Sequence, residues 1–143
     1  MRVLTVLPAL ACTAALACTA VLADQTPSPA GAEVYIIKPA NGARVKSPVT
    51  VVFGLKGMGI APAGVKFDNT GHHHLLLDTG LPADLTQPLP ATDNIRHFGK
   101  GQTEAALDLP PGKHTLQLVF ADFTHTPFTP NVASTKITIT VTK

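Results

Sequence analysis

The chain has 143 residues, and its 11 basic and 9 acidic side chains give a formal net charge of +2 at pH 7. This small charge excludes the strongly basic face of a protein that binds nucleic acid mainly through its phosphates. The 11 glycines and 13 prolines interrupt long helices and separate short strands, which excludes a helical bundle. Histidine, with six copies, is the only ionisable residue in unusual supply.

The N-terminal segment has the pattern of a cleavable signal peptide. Arg2 supplies a positive start, residues 3–21 are apolar and rich in alanine, and small or permissive residues end the segment at Ala23. We therefore predict that residues 1–23 are a signal peptide and that the mature protein is periplasmic or secreted. Downstream of this leader no apolar run approaches the ~20 residues that a membrane-spanning helix needs, so we expect a soluble mature chain.

Both cysteines, Cys12 and Cys18, lie inside this leader. The mature protein is then expected to contain no thiol, so any metal site must use nitrogen, oxygen or thioether ligands. An alternative interpretation makes Cys18 a lipid-modified first residue. The position of Leu16, one place away from the usual lipobox pattern, argues against it.

The remaining sequence predicts a single domain of short strands. Residues 24–32 are small, polar and rich in proline, which predicts a flexible tether before the domain at 33–143. The predicted strands are 33–38, 49–55, 72–78, 104–109, 114–122 and 137–141. Glycine-rich or proline-rich loops at 56–70 and 81–93 separate some of them. About six to eight strands without a helical segment favour an all-β, immunoglobulin-like antiparallel β-sandwich, with a barrel as the alternative.

Three consecutive histidines open the predicted strand at 72–78. Residues two apart on a strand point the same way with Cα atoms about 6–7 Å apart, so His72 and His74 share one face. His73 then lies on the opposite face with Leu75 and Leu77. Neutral imidazoles in a His-x-His arrangement suit Zn²⁺ and Cu²⁺, so this segment predicts half of a metal site.

Two further histidines complete the predicted site. His97 and His125 lie at predicted strand ends or in loops, where side chains can converge on a sheet edge. We predict that His72, His74, His97 and His125 bind one copper or zinc ion, and that no catalytic or cofactor-binding residue accompanies them. The main alternative is that these histidines only form hydrogen bonds at the rim of the domain. Protons compete for the same nitrogens, so we expect metal affinity to weaken as pH falls through about 6.5.

The other chemically distinctive residues favour structural roles. His73 is predicted to be a buried, hydrogen-bonded histidine, and His114, in phase with the apolar face of its strand, is predicted to be structural. Met58 is either an apolar plug or a soft ligand for Cu(I), and the plug is favoured. Asp78 is predicted to bond the backbone or to orient a histidine. The sequence has no nucleophile elbow, phosphate-binding loop or His-Glu-x-x-His motif, so a non-enzymatic role is favoured.

Four separated motifs resemble a bacterial exported family, domain of unknown function 4399, at 57–64, 71–78, 97–104 and 109–116. The resemblance covers the chain from about Tyr35 to Val141 and implies no assigned activity. Family members often have an additional histidine where this chain has Ile95, and another where it has Phe128. If those histidines are ligands in relatives, the resemblance implies a smaller site here, with the four predicted histidines alone.

Together these features predict an exported, periplasmic metal-binding protein. Copper is placed ahead of zinc because an exported, thiol-free site rich in histidine, with one methionine available, suits both copper oxidation states. The expected partners are the ion itself and a periplasmic metalloprotein, and neither nucleic acid nor a membrane span is expected. The alternative is a non-enzymatic immunoglobulin-like module for envelope recognition or structure, and a metal-dependent redox enzyme comes third.

Overall fold

Alternating apolar residues, interrupted by glycine and proline, form ten short strands in the computed structural model, which describes residues 24–143. The predicted leader lies outside the described residues. The strands are β1 Glu33–Lys38, β2 Arg44–Lys46, β3 Val49–Lys56, β4 Gly59–Ile60, β5 Thr70–Leu77, β6 Ile95–Phe98, β7 Glu104–Leu107, β8 Gly112–Ala121, β9 Pro127–Ala133 and β10 Ile137–Thr142. This part of the chain contains no helix, so the predicted all-β class is confirmed. It follows that residues 24–143 include no helix suited to crossing a membrane.

The strands form two sheets. One has three antiparallel strands in the order β1-β3-β7. The other has seven strands, five of which follow the path β2-β10-β8-β5-β4. In the larger sheet β6 also pairs with β5, and β9 also pairs with β8. β5 therefore has β8 on one side and β4 and β6 on the other. The two long central strands, β5 and β8, are antiparallel, and the ends of this pair carry the histidine sites described below.

The two sheets share one hydrophobic core. Phe53 of β3, Leu75 of β5 and Phe120 of β8 belong to the same cluster of buried side chains. The two-residue period of a strand sends alternate side chains to this cluster, while Leu76 belongs to a second, smaller cluster. Leu89, from the proline-rich segment 81–93, is buried in that second cluster. This segment, predicted to be a loop, thus covers apolar side chains of the large sheet.

The N-terminal segment 24–32, for which the sequence predicts a flexible tether, is hydrogen-bonded to the domain. Thr129 donates its backbone N–H to the Thr26 carbonyl over 3.0 Å, and Ser28 donates to the Thr129 carbonyl over 3.1 Å. The Gln25 amide also donates to the Leu85 and Pro127 carbonyls. Composition alone does not show these contacts, because their partners are about 60 to 100 residues away in sequence.

The structure has more strands than the six to eight predicted. β4 lies within the loop predicted at 56–70, and β2, β6 and β9 were not predicted as strands. β4 has only two residues, too few to show a period. β9 contains Pro127 and Pro130, which argue against a central strand, although proline is tolerated where a strand lies at an edge or contains an irregularity. The pairing of β8 with β9 does contain a register shift.

Candidate metal centre

His72 and His74 form the buried half of the site. Both lie on β5, which is hydrogen-bonded along both of its edges, and their ring centroids are 4.8 Å apart. Their exposed fractions are 0% and 1%. The predicted shared face is therefore confirmed, and the strand pairing fixes the backbone that carries both rings.

His97 adds a third ring from the neighbouring strand. It lies directly opposite His74 in the antiparallel pairing of β5 with β6, and opposed residues in such a pair project from the same face. The two ring centroids are 5.1 Å apart. Gly99 makes room for the His97 ring, because a Cβ atom at position 99 would lie 2.2 Å from the Cε1 atom of His97. His97 is the exposed member of the group.

His125 reaches the group from a tight turn after β8. Its backbone has a φ of 69°, a left-handed conformation that is uncommon for residues other than glycine. The turn is closed by Asp122, whose N–H donates to the Thr126 carbonyl and whose own carbonyl accepts from the His125 N–H. Nδ1 of His125 is 3.1 Å from Nε2 of His72.

We call these four residues the histidine cluster: His72, His74, His97 and His125. One ring nitrogen from each lies within 4.8 Å of those of the other three, which confirms the predicted convergence. Two ligands of one ion can be no more than about 4.2 Å apart, twice a metal–nitrogen bond of ~2.1 Å. Four tetrahedral ligands at that bond length are about 3.4 Å apart, so the rings must move together by up to about 1.4 Å for all four nitrogens to bind one ion.

Burial keeps His72 and His74 neutral at physiological pH. Burial, together with the neighbouring imidazoles, lowers the pKa of His72 to about 4 and that of His74 to about 3. The pKa of His97 is also lowered, by burial and by His125. Neutral imidazoles keep a lone pair for a metal. Loss of metal affinity on acidification is therefore expected below pH 6.5, because His72, His74 and His97 resist protonation in the folded chain.

Two ring nitrogens of the cluster have no polar partner. Nδ1 of His72 and Nδ1 of His74 are buried and make no hydrogen bond. A buried polar atom left without a partner costs about 1–3 kcal/mol. The cluster is thus incomplete in its polar contacts, and a bound cation is the kind of group that compensates such an arrangement.

His73 points away from the cluster into the core. Its ring lies 5.0 Å from those of Phe53 and Phe120, measured between centroids, and it is fully buried. The predicted burial is confirmed, whereas the predicted hydrogen bond is reduced to the weak influence of the Gln102 backbone, because neither ring nitrogen has a partner of normal geometry. Burial lowers the pKa of His73 to about 4, although the nearby backbone of Gln102 acts in the opposite direction.

His114 and Asp78 form a separate contact, which we call the ion-pair clasp. Nδ1 of His114 is 2.7 Å from Oδ2 of Asp78, and Nε2 is 2.9 Å from the Pro110 carbonyl. Both partners are acceptors, so this arrangement favours the doubly protonated, cationic form of the ring. The hydrogen bond to Asp78 accordingly raises the pKa of His114. This is the structural role predicted for His114, and Asp78 orients it as predicted.

Three residues outside the histidine cluster also bear on the predicted site: Met58, Asp122 and Gly99. Met58 packs against the hydrophobic core, consistent with the favoured apolar plug. Sequence reasoning missed the roles of Asp122 and Gly99. The Asp-x-Thr pattern at 122–124 was a usable signal for the turn, whereas the need for glycine beside His97 depends on where that ring points.

Comparison with known proteins assigns the family. The sequence profile described as Domain of unknown function (DUF4399) matches residues 51–142, and the chain belongs to this family. No curated protein matches the chain. Among solved structures, the endo-beta-1,4-mannanase from Thermotoga petrophila is similar at 19% identity and a TM-score of 0.46, over 78% of this chain and 20% of that chain. A likeness this slight bears on neither fold nor function.

Proposed function

We propose that this DUF4399 protein is an exported, periplasmic metal-binding protein that holds one ion in the histidine cluster. The observation that carries the proposal is the convergence of four imidazole nitrogens within 4.8 Å of one another. The lowered pKa values of His72 and His74 support it, because those rings stay neutral at physiological pH. Export rests on the signal-peptide pattern of residues 1–23.

Copper is the proposed ion, with zinc as the alternative. A site made only of imidazole suits both ions, and among first-row divalent metals Cu²⁺ binds such ligands most tightly. Because Met58 packs against the core, the preference for copper rests on the four imidazoles and not on a thioether. An exported protein meets copper outside the cytosol, where a thiol-free site is not oxidised.

The number of ligands favours holding or transferring the ion over catalysis. Catalytic zinc sites have three protein ligands and leave the fourth position open for water or substrate, whereas structural sites have four. Here four histidines surround one position. His97 is exposed while His72 and His74 are buried, so the ion enters and leaves on the His97 side. A periplasmic metalloprotein is the proposed partner for such exchange.

A second candidate is an immunoglobulin-like envelope module whose histidines are only structural. The short contact between His72 and His125, at 3.1 Å, favours it, because a hydrogen bond between two neutral imidazoles needs no ion. In that case the four rings stabilise the rim of the sheet by hydrogen bonding and aromatic contact alone.

Equilibrium dialysis separates the two candidates. Tag-free protein is dialysed against Cu²⁺ or Zn²⁺, and the bound metal is measured by elemental analysis. We expect one ion per chain, and a large loss of binding in His97→Ala, which removes an exposed ligand without disturbing the core. His73→Leu is the matched control, because His73 belongs to the same triplet but points away from the cluster. Failure of wild-type protein to retain either ion would contradict the proposal and favour the structural module.

A further inference from the structure

His125 is the one member of the histidine cluster that no strand holds. It lies in the turn at 122–126 with a left-handed φ of 69°, a conformation that costs about 1–2 kcal/mol for most residues. Its carbonyl accepts a hydrogen bond of 2.9 Å from the Leu89 N–H, and its N–H donates to the Asp122 carbonyl. The position of this ligand therefore depends on the contacts that hold the turn.

The Asp122 side chain is the centre of those contacts. Its Oδ1 accepts hydrogen bonds from the Thr124 N–H, the Thr124 hydroxyl and the Thr126 N–H, at 2.9, 2.7 and 3.1 Å. Asp122 is only 4% exposed. One carboxylate oxygen thus organises the turn from within, and the other oxygen remains for a partner from elsewhere in the chain.

That partner is Thr26, from the N-terminal segment. Its hydroxyl donates to Oδ2 of Asp122 over 2.6 Å, the short distance of a hydrogen bond to a charged acceptor. The backbone of Thr26 is held separately, because its carbonyl accepts from the Thr129 N–H on β9. Thr26 also precedes the part of the chain, 51–142, that matches the family.

We propose that Thr26 is a positioning residue of the metal centre: through Asp122 it fixes the turn that presents His125 to the ion. This inference rests on the proposed function, since it concerns the same ion. The N-terminal segment, whose composition predicts a flexible tether, then acts as a strap against the turn that carries His125. Docking of the strap and binding of the ion strengthen each other by the same factor, as linkage requires.

The test compares metal affinity among strap variants of the tag-free protein, with Cu²⁺ as the probe. Thr26→Val removes the hydroxyl and keeps the shape, and we expect about tenfold weaker binding, the lower range for residues that orient a metal ligand. Thr26→Ser keeps the hydroxyl and restores the affinity. Thr142→Val is the matched control, because its hydroxyl donates to the Val45 carbonyl on β2 and touches neither the strap nor the turn.

Two readouts separate positioning from a general effect on stability. In a His125→Asn background, where asparagine tolerates the left-handed backbone, Thr26→Val should cause no further loss of affinity, since its effect passes through His125. Addition of Cu²⁺ should also slow hydrogen exchange of the Ser28 amide in wild-type protein, because that amide is bonded to β9.

The outcomes are distinct. Unchanged affinity in Thr26→Val, or an equal loss with and without His125, would overturn the strap while leaving the metal centre intact. Wild-type protein that binds neither copper nor zinc would overturn the proposed function and the strap together. Thermal melting of the metal-free variants checks that each is folded. If Thr26→Val lowers stability, Thr26→Ser still tests the hydroxyl, because it keeps the hydrogen bond to Asp122.

Discussion

The two ends of the β5–β8 pair use histidine in opposite ways. At one end, Asp78 follows β5 and accepts from His114, whose other ring nitrogen faces the Pro110 carbonyl. At the other end, Asp122 follows β8 but accepts only from threonine hydroxyls and backbone N–H groups. The nearby His72 is left to face other imidazoles.

The comparison shows that the partners of a ring nitrogen decide what a histidine can do. Acceptors on both nitrogens make His114 a cation, which cannot bind a metal. Burial among other imidazoles keeps His72 and His74 neutral and able to donate a lone pair. Spacing in the sequence brings histidines together, but the hydrogen-bond acceptors around them determine their charge.

The largest expected effect comes from removing the buried pair of the cluster. With Cu²⁺ at about 1,000 times its dissociation constant, an ion that binds only the folded state adds about 4 kcal/mol to the free energy of unfolding. The double variant His72→Ala with His74→Ala should lose this increment, as measured by calorimetry with and without metal. In wild-type protein the increment should be lost as pH falls through the pKa values of His72 and His74, which are about 4 and 3.

The control for this prediction is at the other end of the strand pair. His114→Ala should keep the full metal response although it removes a histidine. His97→Ala, at an exposed position, should reduce the metal response without disturbing the core. It therefore still tests the cluster if the double variant fails to fold. Equal responses in wild-type protein and the double variant would show that the ion binds elsewhere.

Gly99→Ala should weaken the cluster without changing a ligand. The added Cβ would lie 2.2 Å from Cε1 of His97, so the exposed ring must turn away from the other three. We expect about 10- to 100-fold weaker metal binding, the range found when the support of a ligand is disturbed, with little change in metal-free stability. Gly80→Ala is the control, since its nearest contact would be 3.7 Å away. Unchanged affinity in Gly99→Ala would show that His97 is not a ligand.

The sequence was sufficient for the parts of the fold and site that depend on local period. The two-residue period placed His72 and His74 on one face and His73 with the core, as the structure shows. The same period could not place His97 opposite His74. That register depends on β6, which has only four residues and so shows too little of a period to be recognised. The strap was also missed, since its hydrogen bonds join residues about 100 positions apart.

His73 offers a smaller test, of the core beneath the cluster. Its ring nitrogens lack a hydrogen bond of normal geometry, which costs about 1–3 kcal/mol, while its contacts with Phe53 and Phe120 stabilise the core by about 0.5–1.5 kcal/mol. We expect His73→Leu to stabilise the metal-free protein by about 1 kcal/mol in urea unfolding.

The advantage of His73→Leu should increase as pH falls. An unfolded chain binds a proton at position 73 below about pH 6.5, whereas the folded chain does so only near its pKa of about 4. Acidification in this window therefore favours unfolding of wild-type protein. Leucine at position 73 binds no proton, so the variant does not lose stability in this way. A destabilised leucine variant with normal metal binding would show that the His73 ring makes a polar contact beyond those described.

The smallest expected effect is at the ion-pair clasp. Asp78→Asn keeps the left-handed backbone at this position, which has a φ of 54°, but removes the charge. Because the Asp78 side chain is 40% exposed, solvent screens the pair and the loss should be about 1 kcal/mol or less. Asp108→Asn, at an exposed position, is the control.

The pH dependence of this loss runs opposite to that of His73. The pKa of His114 is raised in the folded protein, so the clasp contributes its full stability below about pH 6.5 and loses it as pH rises through the folded pKa. The difference between wild type and Asp78→Asn in urea unfolding should therefore be largest in mild acid. A difference that grows toward alkaline pH would contradict a cationic His114.

X-ray absorption on the Cu²⁺-loaded, tag-free protein counts the imidazoles around the ion and so shows whether the histidine cluster binds it. The histidine cluster predicts a shell made only of nitrogen at ~2.0 Å, with outer scattering from four imidazole rings. The double variant His72→Ala with His74→Ala should show no such shell. Two imidazoles or fewer in wild-type protein, or a spectrum that the double variant leaves unchanged, would contradict the account.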